Sequence, residues 1–386
     1  MEKRTNIRIP DILMILTMGI TVLSQLKWNY QNQTRTAMYA VWFICFLSMM
    51  LDRKKVRTTG FGKLFLFSTI GVVGYCFIMR GLGDTGYANS VMNRFMPISC
   101  FSYWLGVLVA TGKRREKVIK GTLVSYFIFC IMFALSLRFF EFKNISAWLS
   151  SMNYNYGAGK NQVGMVLACA SMIGFFYVLP RCKNRTWNIL TILGSAICIV
   201  GIALVQCRTA LVAMAFAAGF ALLMQGKLKW QYIVVGMLAI VAVLANDTIW
   251  SYIDHVFFIS KYSGQGANAF LSGRLGTYQM AVETISENFF FGVGDYYVDC
   301  LYLQLLAEGG LIEFCLVIPV IIKRIGNGIR YKNRGYSYQN LGLILTIYYV
   351  ITSFLEAQTP FGPGTSACVF WILCGYIDVI KKTDNS

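Results

Sequence analysis

Two arginines, an aspartate and a glutamate carry the chemistry in a chain that is 56% hydrophobic and only 13% charged. Arg208 sits in Val-Gln-Cys-Arg-Thr-Ala between two apolar runs, with no acidic neighbour in sequence. Arg274 follows a Ser-Gly turn and opens a candidate amphipathic helix over 275–287. A guanidinium stays charged and presents a planar fork of N–H donors. Two of them suit phosphate or pyrophosphate oxygens and can neutralise charge that develops on a phosphate leaving group. Asp299 and Tyr302 lie three apart, on one helix face at the mouth of an apolar run. There Asp299 can orient or deprotonate a hydroxyl, or simply favour the positive end of a helix. Glu308 precedes Gly309-Gly310 in the same run, where an unpaired carboxylate is costly, so pairing with an arginine is the leading expectation. Glu313 is buried by the same argument. Helical geometry sets Asp299 and Glu308 on opposite faces, which argues against the close carboxylate pair of a retaining glycoside hydrolase.

Each candidate has a plainer reading beside it. Arg208 can be a turn residue snorkelling to lipid headgroups, and Arg274 a surface residue after a turn. Lys160 and Asn161 open Lys-Asn-Gln-Val-Gly at the start of another apolar run, where Lys160 is either a third cation near the same anion or a snorkelling lysine. Gly292 and Gly294 form a Gly-x-Gly without strand and helix context, a weak phosphate-loop signal, and shape the return of the chain into the membrane. The single histidine, His255, stands apart from every motif. There is no EF-hand, DxD, HExxH or Walker A sequence, which favours chemistry without a metal, ATP or other cofactor. The 12 cysteines include no CxxC and read as small apolar packers rather than a zinc site or a disulfide framework.

The elements that must hold these residues are membrane helices. Apolar segments of this length, without alternation, indicate an all-α polytopic integral membrane bundle. About twelve spans are expected, near 12–26, 37–51, 64–79, 96–110, 118–137, 161–179, 187–206, 209–224, 230–245, 298–322, 341–357 and 365–380. The net charge of +18 invites a nucleic-acid partner, but its distribution excludes one. Basic clusters fall in alternate loops: at both termini, from Arg53 to Arg57, around Lys113–Lys120, at Arg181 to Arg185, at Lys227 and Lys229, and from Lys323 to Arg334. About 25 of the 35 Lys and Arg lie there, which makes that side cytoplasmic. Both termini are therefore expected inside, in a single domain over 1–386, with one large extracytoplasmic loop over 246–297 between spans nine and ten. The basic start and the first span lack a clear small-residue cleavage site, so no cleavable signal peptide is expected. No repeat of 20–50 residues is visible, so a solenoid is not expected.

The order Ser-Gly-Arg, helix, Phe-Gly-Val-Gly, Asp-x-x-Tyr-Leu and Glu-Gly-Gly over 272–311 resembles the large external loop of the O-antigen ligase and polymerase superfamily, the Wzy-type polymerases of bacterial surface polysaccharide. Arg208 stands in the superfamily's Ser/Cys-Arg-Ser/Thr-Ala/Gly setting, and Asn161 with Gly164 matches an Asn and a Gly common there. One departure is clear: many members read His-Asn-x-Tyr-Leu where this chain has Asp299-Cys300-Leu301-Tyr302-Leu303. The resemblance implies a metal-independent glycosyltransferase whose donor is an undecaprenyl-pyrophosphate-linked oligosaccharide taken from membrane lipid. By the same resemblance, Arg208 and Arg274 hold the pyrophosphate, Asp299 orients or deprotonates the acceptor hydroxyl, and Lys160, Asn161, Tyr302 and Glu308 position the substrate. Flippase and chain-length-regulator proteins are the partners it implies. A ligase that moves finished glycan to another acceptor is the nearest rival. A lipid-linked oligosaccharide flippase would carry charges deep in several spans, and a non-catalytic assembly protein would tolerate loss of both arginines.

Overall fold

A computed structural model describes residues 8–26, 35–52, 56, 58–141, 144, 159–224, 246–263, 273–330, 338–362 and 365–384. Its elements are α1 (Ile9–Leu23), α2 (Arg35–Asp52), α3 (Gly60–Gly81), α4 (Val91–Thr111), α5 (Arg115–Ser136), α6 (Lys160–Ile173), α7 (Arg185–Leu204), α8 (Arg208–Met224), α9 (Asp247–Phe257), α10 (Arg274–Glu287), α11 (Leu301–Arg330), α12 (Tyr338–Ser353) and α13 (Thr365–Asp384). No strand occurs among the described residues. Helices occupy eleven of the positions expected for spans, and the ninth, 230–245, lies outside the described residues. Five segments are long and apolar enough to cross a membrane: Gly60–Gly81, Arg115–Phe139, Lys160–Arg181, Arg185–Leu204 and Leu301–Arg330. Four shorter helices are also apolar.

Local chemistry explains where the helices begin. The Thr59 hydroxyl accepts from Gly62 N at 2.9 Å, Ser90 from Asn93 N at 3.2 Å, and Asn184 from Thr186 N at 3.0 Å. Each satisfies an N–H that has no partner inside its own helix. The innermost helix is α6: every residue from Gln162 to Ile173 is buried. It packs against α5, α7, α8, α12 and α13. A helix apolar on all sides is one surrounded by others.

Of the span ends that differ from expectation, two matter most. Span eleven stops at Ser353, so Glu356 lies in a turn beyond the helix rather than inside it. Span ten runs on to Arg330, so Arg324 is a buried helix residue and not part of a basic loop. Arg324 Nη1 meets Asp378 Oδ1 at 3.2 Å, which is what lets a guanidinium stay inside the bundle. The helix α10 fully buries only Ala281, but Arg274, Tyr278, Ala281 and Ile285 form the face it turns toward α11.

The two glycine motifs of the loop region meet each other. Inside α11 the backbone breaks at Gly310, whose φ of 64° and ψ of −163° are not helical. A Cβ there would stand 2.4 Å from the carbonyl carbon of Phe290, so only glycine fits. The groups freed by the break are taken up by the Phe-Gly-Val-Gly turn. Val293 N donates to Ala307 O at 2.9 Å, Gly294 N to Glu308 O at 2.9 Å, and Leu311 N to Phe289 O at 2.8 Å. Ala307 O, Glu308 O and Leu311 N are thereby paired again, as a buried backbone requires. The result seats the segment before α11, and with it Asp299, against the bundle.

Candidate functional site

Lys160, Arg208 and Arg274 are each the first residue of a helix, namely α6, α8 and α10. All three line one cavity of about 380 Å³, together with Asn161, Gln206, Thr209, Val212, Phe257, Asp299 and Leu355. Neither α6 nor α10 has a side-chain cap at its N-terminus. Helix N-termini carry partial positive charge and unpaired N–H groups, so three of them beside three cations make a site for an anion.

Close packing at the turn between α7 and α8 holds Arg208 next to Lys160. The α7 helix ends with Cys207 N donating to Ile202 O at 3.2 Å and Gln206 N to Ala203 O at 2.9 Å, the paired bonds of a Schellman termination. That geometry puts Gln206 at φ 55°, a left-handed position normally given to glycine. Gly164 of α6 lets the turn approach, since a Cβ there would lie 2.4 Å from Cys207 Sγ. Gln206 Nε2 and His255 Nε2 are 2.7 Å apart, which ties α9 to the turn. Arg208 Nη1 donates to Phe257 O at 3.2 Å, and its guanidinium stands 5.5 Å from the Phe258 ring. Phe258 is also left-handed, at φ 57°. Among the described residues the two non-glycine residues with positive φ thus both sit around Arg208, and such strain concentrates at functional sites.

Arg274 lies between two carboxylates. Its Nε is 3.3 Å from Asp299 Oδ2, and its Nη2 is 3.2 Å from Glu356 Oε1. Asn161 Nδ2 donates to the same Glu356 oxygen at 2.6 Å. The other Asp299 oxygen accepts from the Tyr297 hydroxyl at 2.9 Å. Burial raises the Glu356 carboxyl to about 7; the nearby Arg274 pulls it down, and the Asp299 charge pushes it up. Burial, then the Asp299 charge, also raises the Tyr297 hydroxyl, so it remains a donor. Among the described residues the Asp299 carboxylate receives no helix N–H, so it caps nothing in α11.

Tyr302 and Glu308 do not line this cavity. The Tyr302 hydroxyl accepts from Ser353 Oγ at 2.9 Å and its ring lies 4.7 Å from that of Phe354, so it seats the turn that carries Glu356. Among the described residues Glu308 does not pair with an arginine. Its Oε1 accepts from Val91 N, the first residue of α4, and its Oε2 from Gln304 Nε2, both at 2.5 Å. A helix N-terminus supplies the positive partner in place of a cation. Glu313 is fully buried, and neither of its oxygens is hydrogen-bonded among the described residues.

The sequence reading missed Glu356, Gln206 and Thr209. Glu356 had one visible signal, a carboxylate at the end of an apolar run just before Thr-Pro-Phe-Gly-Pro-Gly, a turn composition. Of the 12 cysteines, ten are buried and all are free. Among the described residues no group of three or more His, Cys, Asp or Glu side chains could hold a metal ion.

Apolar helices and a cavity lined by three cations at helix N-termini define a helical membrane protein with a basic pocket. Residues 193–318 match the family model described as O-Antigen ligase. The match covers about a third of the chain and takes in Arg208, Arg274, Asp299, Tyr302 and Glu308, while Lys160, Asn161 and Glu356 fall outside it. No curated protein matches the chain.

Proposed function

We propose that the chain is a multi-pass enzyme of the cell membrane, with both termini cytoplasmic, that joins undecaprenyl-pyrophosphate-linked oligosaccharide units into a surface polysaccharide. The observation that carries this reading is the convergence of Lys160, Arg208 and Arg274, each heading a helix, on a cavity whose wall also holds Asp299. The acceptor hydroxyl oxygen attacks the anomeric carbon of the donor, and the bond from that carbon to the pyrophosphate oxygen breaks. Undecaprenyl pyrophosphate leaves with the bonding electrons, and the hydroxyl proton passes to the Asp299 carboxylate. Arg208 and Lys160 with their helix ends receive the pyrophosphate, worth most in a site closed to water. Arg274 is held by Asp299 and Glu356, which aims its remaining N–H groups before substrate arrives.

A ligase reading has its own support, because the matched family is described as a ligase. The two activities share donor and leaving group and differ only in acceptor. Purified protein given a lipid-linked repeat unit and no nucleotide sugar separates them. A ladder of products supports the polymerase. Single transfer onto a foreign acceptor, without a ladder, supports the ligase. No release of undecaprenyl pyrophosphate under either condition overturns both.

A further inference from the structure

At the opposite end of α6 the chain continues through a π turn, Gly174–Val178, and a 3-10 turn, Leu179–Arg181. Here a second polar cavity, of about 530 Å³, is lined by Lys117 and Lys120 of α5, by Arg181 and Lys183, and by Tyr177 and Tyr338, with Glu116 as its one acidic residue. It lies on the face that carries the basic loops. Arg181 is placed rather than loose: its guanidinium carbon stands 4.0 Å from the Tyr177 ring centre and 5.3 Å from that of Tyr338. Its Nη1 donates to Tyr177 O at 3.0 Å, and the Tyr177 hydroxyl donates to that of Tyr338 at 2.9 Å.

Beside this cavity runs an apolar groove of about 510 Å³, walled by Phe176, Leu179, Ile199, Met214, Ala218 and Leu222 among others, and Pro180 lines both spaces. Ala215 and Ala218 keep the α8 wall thin. From Leu222 to Met214 the groove follows α8 for roughly 12 Å at the helical rise. Four cations against one carboxylate, joined at Pro180 to an apolar groove directed along the helices, match a molecule with an anionic head and a hydrocarbon tail. A soluble phosphate would use only the first space, and a neutral lipid only the second.

We propose that this is a binding site for an anionic phospholipid of the leaflet at the basic face, with its phosphate in the Arg181 cavity and one acyl chain in the groove. Basic clusters between helices attract anionic headgroups at that level, and the four cations of this cavity form such a cluster. The proposal is independent of the glycan reading, because it shares no residue with the cavity around Arg208.

Native mass spectrometry of delipidated full-length protein, titrated separately with phosphatidylglycerol, phosphatidylcholine and inorganic phosphate, tests it. The expected result is retention of phosphatidylglycerol above phosphatidylcholine, with no comparable retention of inorganic phosphate. Arg181→Met should weaken phosphatidylglycerol binding about fivefold, and Ala218→Trp, which fills the groove, should weaken it while leaving the cations in place. Lys183→Ser, at an exposed position, provides a third reading if either change at the half-buried Arg181 or Ala218 prevents folding. Equal retention of the two lipids, retention of inorganic phosphate as strong as that of phosphatidylglycerol, or wild-type binding in the folded variants would each overturn the assignment.

Discussion

Oε1 of Glu356 lies 3.2 Å from Nη2 of Arg274 and 2.6 Å from Nδ2 of Asn161, joining residues 82 and 195 positions apart at one atom. Two cavity-lining groups therefore take their positions from a carboxylate that does not line the cavity itself. The groups facing Glu356 are Arg274 of α10, Asp299 ahead of α11 and Asn161 of α6.

This arrangement gives a pH dependence with a definite sign. The Glu356 carboxyl is raised to about 7, so it is ionised above that pH and neutral below it. Protonation removes one of the two negative charges facing Arg274, so affinity for pyrophosphate should rise as pH falls through about 7, by at most about tenfold per unit. Glu356→Gln should bind more tightly than wild type at pH 8 and lose the slope between pH 6 and 8. Calorimetric titration with inorganic pyrophosphate measures both. An unchanged slope in Glu356→Gln would assign the dependence to another group.

Arg208→Lys and Arg274→Lys keep charge but lose the planar fork. Turnover should fall on the order of 10²-fold in each, comparable to the loss of one preorganised oxyanion donor. Release of undecaprenyl pyrophosphate by purified variants is the measurement, with expression checked. Wild-type rates in both would refute their place around the leaving group.

Asp299→Asn separates proton acceptance from the placing of Arg274. Asn keeps the size and one acceptor oxygen, which can face Arg274 while its amide donates to the Tyr297 hydroxyl, but only the carboxylate takes a proton. Turnover should drop 10² to 10⁴-fold with donor binding nearly unchanged. Asp299→His should retain partial activity and move the acid limb of the pH profile upward, since free imidazole titrates near 6.5 and free Asp near 3.9. Near-normal turnover in Asp299→Asn would reject the base.

The pair formed by Arg324 and Asp378 is 3% and 2% exposed, and Tyr103 also donates to Asp378 Oδ2 at 3.1 Å. Asp378→Leu leaves a buried guanidinium without its partner and should cost about 3–5 kcal/mol. The double change Arg324→Met with Asp378→Leu should recover most of that loss, because the charge is gone as well. Denaturation in detergent compares the three; a double variant no more stable than the single would show that the pair itself, not the orphaned charge, sets the stability.

Membrane orientation rests on the alternation of basic loops. In a cysteine-free background, a cysteine at Gln265 should react with an impermeant thiol reagent on intact cells, and one at Lys117 should not. Labelling at position 117 from outside would reverse the assignment of faces and move the Arg208 cavity to the cytoplasm.

What the sequence determined by itself was the helical character and the chemically active residue types. Apolar runs without alternation leave the backbone no partner in lipid except its own, so helices follow from composition alone. Lys160, Asn161, Arg208 and Asp299 were legible as candidates because a polar residue at the edge of an apolar run is costly unless it serves a purpose, and Arg274 from its Ser-Gly turn within the loop. Tertiary structure decided how they combine. That three cations head helices converging on one cavity depends on the packing of α6 against the Gln206 turn and on the break at Gly310, which a loop twenty residues away completes. Tyr302 and Glu308 shared the motif of Asp299 but face a turn and a helix end instead, since three or more residues along a helix change the neighbour completely. Glu356 joined the site only through contacts far apart in sequence. No local pattern records such a contact, because its energy depends on where two distant helices come to rest.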